Sequence, residues 1–125
     1  MNPQQKISFC RQWLAAWTGN NPQHLLSFYG PHAFYRDPAR PDGVKGQEAL
    51  KVYFEKLLAK NPDWVWEMEE VFSTEKGFTL KWKATVPFGG KNVVFFGLDI
   101  VEMEGEKITR NEVYFDPSPL KREVS

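Results

Sequence analysis

The sequence is poor in the residues on which several classes of protein depend. Cys10 is the only cysteine among 125 residues, which excludes an internal disulfide framework and a zinc site built from several cysteines. Lys plus Arg and Asp plus Glu number 16 each, so composition gives no support for binding to nucleic acid or to an anionic membrane. No apolar run approaches the roughly 18 residues of a membrane span.

Motifs of metal, nucleotide and nucleophile sites are also missing. His24 and His32 have no partner at metal-ligand spacing, no glycine-rich phosphate loop is present, and Cys10 falls on an apolar helical stripe. We therefore predict no metal and no cofactor. No apolar stretch typical of a signal peptide follows Met1, which favours a cytoplasmic protein.

Aromatic residues, in contrast, are abundant. Ten Phe, five Trp and four Tyr make up 15% of the chain, and hydrophobic residues reach 42%, which excludes disorder for most of the chain. The length fits one domain. We predict a single domain over residues 1–125, with an ordered core over about 4–116 and a loose tail over 117–125.

The first half of the chain reads as helices. Asn2-Pro3 is typical of a helix start, and apolar residues then recur every three or four positions up to Trp17. A short helix follows Asn21-Pro22, and a third helix is predicted over about 46–60. Between them, residues 33–36 suggest a short strand, and residues 38–46, with two prolines and two glycines, suggest a loop.

The second half reads as long strands. Apolar and polar residues alternate almost perfectly over 78–88, and Gly89-Gly90 is typical of a two-residue hairpin turn. Further strands are predicted over 64–72, 93–103 and 107–116. Helices followed by an antiparallel meander indicate an α+β fold with the helices on one face of the sheet.

The strand predicted over 93–103 is apolar on both faces, although only one face can meet the helices. Such a strand needs cover on both sides. The simplest cover is a second copy of the chain, giving a homodimer, and the alternative is the chain's own tail. The outer row consists of Val94, Phe96, Leu98 and Ile100.

Three polar residues are candidates for a functional site. Asp99 shares its parity with Phe95 and Val101, and a carboxyl buried there must be paired, hydrogen-bonded or neutral. It is either functional or a structural partner of a neighbouring strand. Asp37, before Pro38, is either a general base at a cavity mouth or a turn-forming residue. Asn111 is either a polar anchor for a ligand or a cross-sheet partner.

The sequence motifs resemble one known family. The Phe-Tyr-Arg-Asp-Pro stretch at 34–38, the Val-Lys-Gly-Gln-Glu-Ala-Leu helix opening at 44–50, and the Leu-Asp-Ile-Val stretch at 98–101 with Glu-Gly-Glu-Lys-Ile at 104–108 resemble the SnoaL-like branch of the nuclear transport factor 2-like superfamily. The resemblance covers essentially residues 4–116. That superfamily also contains ketosteroid isomerase and polyketide cyclases. The resemblance implies a cone-shaped molecule, in which a strongly curved antiparallel sheet wraps three helices around a deep pocket.

The resemblance also implies roles for individual residues. Asp37 occupies the place of the general base of ketosteroid isomerase, and Asp99 occupies that of its oxyanion-binding carboxylic acid. Trp13 and Phe54 stand where that enzyme has tyrosines, and Tyr29 retains one member of its hydrogen-bond network. Activity on steroids is therefore doubtful. The resemblance also implies dimerisation, since many members of the superfamily dimerise through the convex sheet face.

Two functional hypotheses follow. In the first, the protein is an isomerase, cyclase or lyase acting by proton transfer on an apolar carbonyl compound, with Asp37 as base and Asp99 as proton donor. In the second, it is a module that binds a hydrophobic small molecule, or another protein, without catalysis. An open cavity in which Asp37 and Asp99 converge within hydrogen-bond reach of one point would favour catalysis, whereas a closed interior filled by rings, with Asp37 at the surface, would favour binding. The predicted binding residues are Trp13, Trp17, Tyr29, Tyr35, Phe54, Trp82, Phe95, Asn111 and Phe115.

Overall fold

The computed structural model describes residues 1–120, which form three α-helices and one six-stranded sheet. The helices are α1 (Pro3–Ala15), α2 (Pro22–Leu26) and α3 (Gln47–Lys60). The strands are β1 (Tyr29–Asp37), β2 (Arg40–Lys45), β3 (Val65–Ser73), β4 (Gly77–Phe88), β5 (Lys91–Glu104) and β6 (Lys107–Phe115). The predicted α+β class, with the helices wrapped by a curved sheet, is confirmed.

The helix predicted after Asn2-Pro3 begins there because a reciprocal pair of hydrogen bonds caps its N-terminus. The Asn2 side chain accepts a hydrogen bond from the backbone N–H of Gln5, and the Gln5 side chain accepts one from the backbone N–H of Asn2, both at 2.8 Å. Such a capping box satisfies two N–H groups that the helix itself leaves unpaired. Within residues 1–120, no helix has the length and apolar character needed to cross a bilayer.

The segment predicted as a loop over 38–46 contains a strand, so that prediction was wrong. β2 (Arg40–Lys45) pairs antiparallel with β1 and forms one edge of the sheet. Pro41 is tolerated there because an edge strand has one side without a partner. Gly43 has a φ of +85°, and a Cβ at this position would overlap the ring of Phe34. β1 itself is longer than the predicted 33–36.

The sheet order is β2-β1-β6-β5-β4-β3. The last four strands form the predicted antiparallel meander, and Gly89 and Gly90 make the tight turn between β4 and β5 at positive φ. β6 then returns to pair in parallel with β1, which sets Asn111 opposite Tyr35. Register shifts in four of the strand pairs are irregularities of the type that increases twist and bends a sheet.

The core lies between the helices and the concave face of this sheet. The predicted alternation on β4 is confirmed, since its inward side chains from Phe78 to Val86 are at most 2% exposed. α1 contributes Cys10 and Trp13, and α3 contributes Leu50, Phe54 and Leu58, all of which are buried. The opposite parity of β4 carries threonines and lysines on the outer surface.

The outer face of β5 remains open in the monomer. Val94, Phe96 and Leu98 are 42–50% exposed, and Ile100 is partly buried. Of the tail predicted to be loose over 117–125, Ser118–Leu120 forms a 3-10 helix, and Leu120 lies at the mouth of a cavity described below. The rest of that tail lies outside the described residues.

Candidate functional site

A cavity of about 70 Å³ lies between the helices and the concave face of the sheet. Seven of the fourteen residues in its wall are aromatic, and two are aspartates. A wider vestibule of about 600 Å³ adjoins it and shares part of its wall. The cavity is lined by Leu14, Trp17, Tyr35, Asp37, Leu57, Leu58, Asn61, Trp64, Trp66, Trp82, Phe95, Asp99, Val113 and Phe115.

Asp99 lies on the concave side of β5 and is almost completely buried. Its Oδ1 accepts a hydrogen bond from the Trp82 indole N–H at 2.6 Å, and its Oδ2 accepts one from the Asn111 amide at 2.9 Å. Burial raises the pKa of Asp99 to about 7, although the hydrogen bonds from Asn111 and Trp82 lower it, and the charge of Asp37 adds a smaller upward effect. Asp99 therefore exchanges its proton near neutral pH.

A buried chain of hydrogen bonds orients the Asn111 amide toward Asp99. Trp13 donates its indole N–H to the Tyr29 hydroxyl at 3.2 Å, and that hydroxyl donates to Asn111 Oδ1 at 2.7 Å. Because the amide oxygen is occupied in this way, its NH₂ group is the one that faces the carboxyl. The polar groups of α1, β1, β5 and β6 thus form one network below the cavity.

Asp37 is the last residue of β1, and its carboxyl accepts more hydrogen bonds than that of Asp99. Its Oδ1 accepts the backbone N–H groups of Ala39 and Arg40, both at 2.9 Å, which closes the turn into β2. Its Oδ2 accepts the hydroxyls of Tyr35 and Tyr53, both at 2.7 Å. The four lone-pair positions of a carboxylate are therefore all engaged.

The two phenols that bind Asp37 differ in their surroundings. Tyr35 is 2% exposed, whereas Tyr53 on α3 is only half-buried and has the Arg40 guanidinium 5.7 Å from its ring centroid. Burial raises the pKa of both tyrosines well above the ordinary value, and the adjacent Asp37 carboxylate raises it further. Both hydroxyls thus remain protonated donors at neutral pH.

Seven of the eleven residues predicted for the site lie in the cavity wall. They are Trp17, Tyr35, Asp37, Trp82, Phe95, Asp99 and Phe115. The structure thus brings Asp37 and Asp99 to one cavity.

The other four predicted residues, Trp13, Tyr29, Phe54 and Asn111, are buried but are not part of that wall. Trp13, Tyr29 and Asn111 form the hydrogen-bond chain to Asp99, and Phe54 packs between Trp17 and Tyr29. Parity identifies an inward side chain, but it does not separate the cavity surface from the layer beneath it.

Sequence reasoning missed several residues of the site. Trp64 and Trp66 line the cavity, and their shared parity with Met68 on the first long strand was the available signal. Tyr53 was not among the predicted site residues. Its contact with Asp37 joins a helix to a strand end 16 residues away, which no local pattern reveals.

The described residues offer no site for a metal or for a cysteine nucleophile. Within residues 1–120, no group of His, Cys, Asp and Glu side chains is arranged to hold a metal ion. Burial raises the pKa of Cys10 to about 12, so its thiol stays protonated, and its predicted place in the core is confirmed. The titratable group that faces the cavity and changes charge near neutral pH is Asp99.

The arrangement combines an apolar receptor with a hydrogen-bond donor. A protonated carboxyl in a water-poor cavity can donate to an oxygen that gains negative charge, and the low polarity of the surroundings strengthens that interaction. The wall within residues 1–120 contains no Lys, Arg or His. A neutral or cationic ligand is therefore favoured over an anion.

Solved structures with the same fold come from several bacteria. A ketosteroid isomerase-like protein of Catenulispora acidiphila, in complex with trimethylamine, aligns with a TM-score of 0.79 at 20% identity over 90% of this chain and 88% of its own. A candidate SnoaL-like polyketide cyclase of a Jannaschia species aligns with a TM-score of 0.77 at 12% identity over 97% and 93%. AclR, a candidate hydroxylase of Streptomyces galilaeus, aligns with a TM-score of 0.75 at 15% identity over 97% and 96%.

These likenesses show the shared fold, which hosts different chemistries. Comparison with curated proteins by sequence gives no match. A family model, in contrast, matches residues 10–111, a stretch that includes both aspartates and the whole hydrogen-bond network. The predicted resemblance is thereby confirmed, and the chain belongs to the SnoaL-like domain family.

Proposed function

We propose that the protein is a small-molecule enzyme of the isomerase or cyclase type, in which Asp99 donates a proton to an oxyanion that develops on an apolar carbonyl substrate. One observation carries the proposal: the wall of a largely apolar cavity contains a buried carboxyl with a pKa of about 7. Trp82 and Asn111 fix its two oxygens, so that the protonated form can turn its O–H toward a ligand. In this proposal, the proton donor and the groups that hold it are all side chains of the protein itself.

Asp37 is the candidate base in this mechanism, because it is a second carboxyl in the same cavity wall. A base must offer a lone pair to the proton that it removes. Asp37 offers one only when a donor leaves, and the half-buried Tyr53 hydroxyl is the one with the greatest freedom to do so. The remaining three donors would hold the carboxyl in place.

The size of the cavity indicates how a substrate would bind. About 70 Å³ accepts only a small part of an organic molecule, whereas the adjoining vestibule of about 600 Å³ has room for the remainder. The reacting carbonyl end would therefore enter between the rings of Trp82, Phe95 and Phe115, and bulkier groups would stay outside. This agrees with the aromatic wall, which favours flat, apolar groups.

The test is proton exchange at carbon. Cyclohex-2-enone, a small enolisable carbonyl probe, is incubated in D₂O with the protein, and loss of the signal of its C6 protons, which lie next to the carbonyl, is followed by NMR. We expect the protein to accelerate exchange, and we expect Asp99→Asn to remove most of the acceleration, because an amide cannot supply the acidic proton. Asp42→Asn, an exposed substitution on β2, is the matched control and should exchange like the parent protein.

The pH dependence of exchange adds a second criterion. A protonated Asp99 is present below a pH of about 7, so the catalysed rate should fall as pH rises through that value. Exchange no faster than in buffer at any pH would contradict the proposal. A rate that is insensitive to Asp99→Asn in folded protein would contradict it equally.

A second candidate function rests on the composition of the wall. Among the described residues, the cavity wall contains seven aromatic rings, two aspartates and no cationic side chain. This composition resembles that of the cages that bind alkylammonium ions by cation–π attraction. The similar Catenulispora acidiphila protein was solved in complex with trimethylamine. In this reading the protein is a binding module for a small methylated ammonium ion rather than an enzyme.

The two functions predict opposite pH dependences: the catalysed exchange rate falls as pH rises through about 7, whereas ammonium binding strengthens. Tetramethylammonium, the probe, should bind more tightly as pH rises through about 7, because ionised Asp99 attracts the cation. Quenching of the fluorescence of the four tryptophans in the wall reports binding. Affinity that does not rise with pH, or that survives Trp82→Leu and Trp64→Leu together, would rule out the ammonium site.

A further inference from the structure

The hydroxyl of Tyr53 is the least restrained of the contacts that Asp37 makes. Ala39 and Arg40 donate from the backbone of the turn itself, and Tyr35 lies two residues before Asp37 on the same strand. All three are fixed by the local conformation of β1 and β2. Tyr53 reaches the same Oδ2 from α3, across the gap between helix and sheet.

The side chain of Tyr53 is also poised at a border between core and solvent. Its ring contacts Tyr35, with centroids 5.7 Å apart, and its other side meets the Arg40 guanidinium. Rotation of this half-buried side chain would uncover less of the core than rotation of the buried Tyr35, which would open a void. Tyr53 is therefore the donor that can leave Oδ2 at the lowest cost.

We propose that Tyr53 is a positioning residue that controls Asp37: its hydroxyl occupies the lone pair of Oδ2 that proton abstraction requires, and its departure makes Asp37 a competent base. The inference rests on the proposed function and adds to it a residue that limits the rate. The charged and titratable groups around Asp37 are Tyr35 on the same strand, Arg40 on β2, Tyr53 on α3 and Asp99 on β5.

The first experiment compares exchange of the C6 protons of cyclohex-2-enone in D₂O for three variants. Tyr53→Phe keeps the ring and its packing but removes the hydroxyl, so one Oδ2 lone pair becomes free. We expect about tenfold faster exchange than in the parent protein, the change that corresponds to one ordinary charge-assisted hydrogen bond. Asp37→Asn should abolish the acceleration.

Tyr114→Phe is the matched control for loss of a phenol that binds a carboxylate. Tyr114 donates to Glu112 at 2.5 Å on the outer face of the sheet, away from the cavity. This variant should exchange at the parental rate. Exchange in Tyr53→Phe that is slowed to the level of Asp37→Asn, or that is unchanged, would overturn the proposal, since the hydroxyl would then assist the reaction or play no part in it.

A second readout needs no substrate and separates this inference from the proposed function. The ¹³Cζ resonance of Tyr53 reports its ionisation, and its pKa is raised by burial and by the contact with Asp37. In Asp37→Asn the pKa of Tyr53 should fall toward the ordinary value of about 10. An unchanged pKa would show that the two groups are uncoupled and would overturn the inference, even where exchange is catalysed; a fall in protein that catalyses no exchange would refute the proposed function alone.

Discussion

At the scale of single residues, Asp99 and Asp37 differ in the donors that surround them. Asp99 accepts one hydrogen bond on each oxygen and keeps a lone pair on each, while all four positions of Asp37 are engaged. Burial with few donors favours the neutral acid, and the pKa of Asp99 is accordingly raised to about 7. The two carboxyls in one wall thus differ in how many of their lone pairs are free to meet a ligand.

The raised pKa of Asp99 predicts how stability depends on pH. The carboxyl titrates near 3.8 when unfolded and near 7 when folded, so its favourable contribution is complete below about pH 3.8 and is lost as pH rises through about 7. Between pH 5 and pH 8, the parent protein should lose roughly 3 kcal/mol of unfolding free energy relative to Asp99→Asn, which has no such group. Urea unfolding of both proteins at the two pH values measures this difference.

Urea unfolding of the parent protein and of Asp99→Asn can also contradict the raised pKa of Asp99. Other carboxyls contribute equally to both proteins, so the subtraction isolates position 99. If the difference between the two unfolding free energies is the same at pH 5 and pH 8, Asp99 titrates in the folded protein as it does in the unfolded chain. The proton-donor mechanism would then have no basis at neutral pH.

At the scale of elements, the contact between β4 and β5 depends on Gly97. Gly97 pairs with Trp82 across the two strands, and a Cβ at this position would overlap the Trp82 indole and lie 2.8 Å from the carbonyl oxygen of Tyr114. The missing side chain therefore makes room for the ring that donates to Asp99 two residues further along β5. In the sequence, Gly97 shares its parity with Phe95 and Asp99, but that pattern does not show which ring its missing side chain accommodates.

Gly97→Ala should therefore disturb both stability and the site. We expect a loss of about 2 kcal/mol from overpacking, together with a changed emission spectrum as Trp82 is displaced. Gly90→Ala is the control at the turn of the same hairpin, where a φ of +78° is strained for alanine but no atom lies within 4 Å of the added carbon. It should lose about 1 kcal/mol and leave the emission spectrum unchanged, and equal spectra for both variants would contradict this account.

Most element types were predictable because hydrophobic periodicity determines them. The stripe on α1, the alternation on β4 and the turn at Gly89-Gly90 each identified an element that the structure contains. β2 was missed because Pro41 and Gly43 weaken strand propensity, and an edge strand tolerates both. The parallel pairing of β1 with β6 was likewise beyond local pattern, since it joins residues such as Tyr35 and Asn111 that lie far apart in sequence.

The candidate site was predictable to the extent that polar residues interrupted apolar rows. Asp99 and Asn111 broke the pattern of their strands, and the resemblance to the SnoaL-like family supplied the place of Asp37. What sequence could not supply was the assignment of side chains to cavity or core. Trp13 and Trp17 share one helical stripe, yet Trp17 lines the cavity and Trp13 lies beneath it.

At the scale of the whole molecule, we propose that two copies associate through the outer face of β5. Val94, Phe96 and Leu98 form a half-exposed apolar row in the middle of the sheet, and the described part of the tail does not cover it. A continuous row of this kind on a monomer is typical of an interaction surface. A second copy would present the same row to it.

Phe96→Lys should convert this dimer into a monomer, because two lysines would meet near the centre of the interface. Val52→Lys, an exposed substitution on α3, is the control and should leave the assembly intact. Native mass spectrometry and light scattering give the mass in solution. A parent protein that is monomeric at micromolar concentration, or a Phe96→Lys protein that remains dimeric, would contradict the proposed interface.

The parallel pairing of β1 with β6 has a consequence for synthesis. The hydrogen-bond donors to Asp37 all precede position 54 in the chain. Asp99, in contrast, meets Asn111 only after the last strand has been made. A nascent chain that ends before β6 therefore carries its tryptophans without a closed core, a state in which unfinished chains tend to aggregate. Contacts between such distant segments also slow folding. The proton-exchanging carboxyl would thus be completed last, and a truncated chain would lack the site even if its helices had formed.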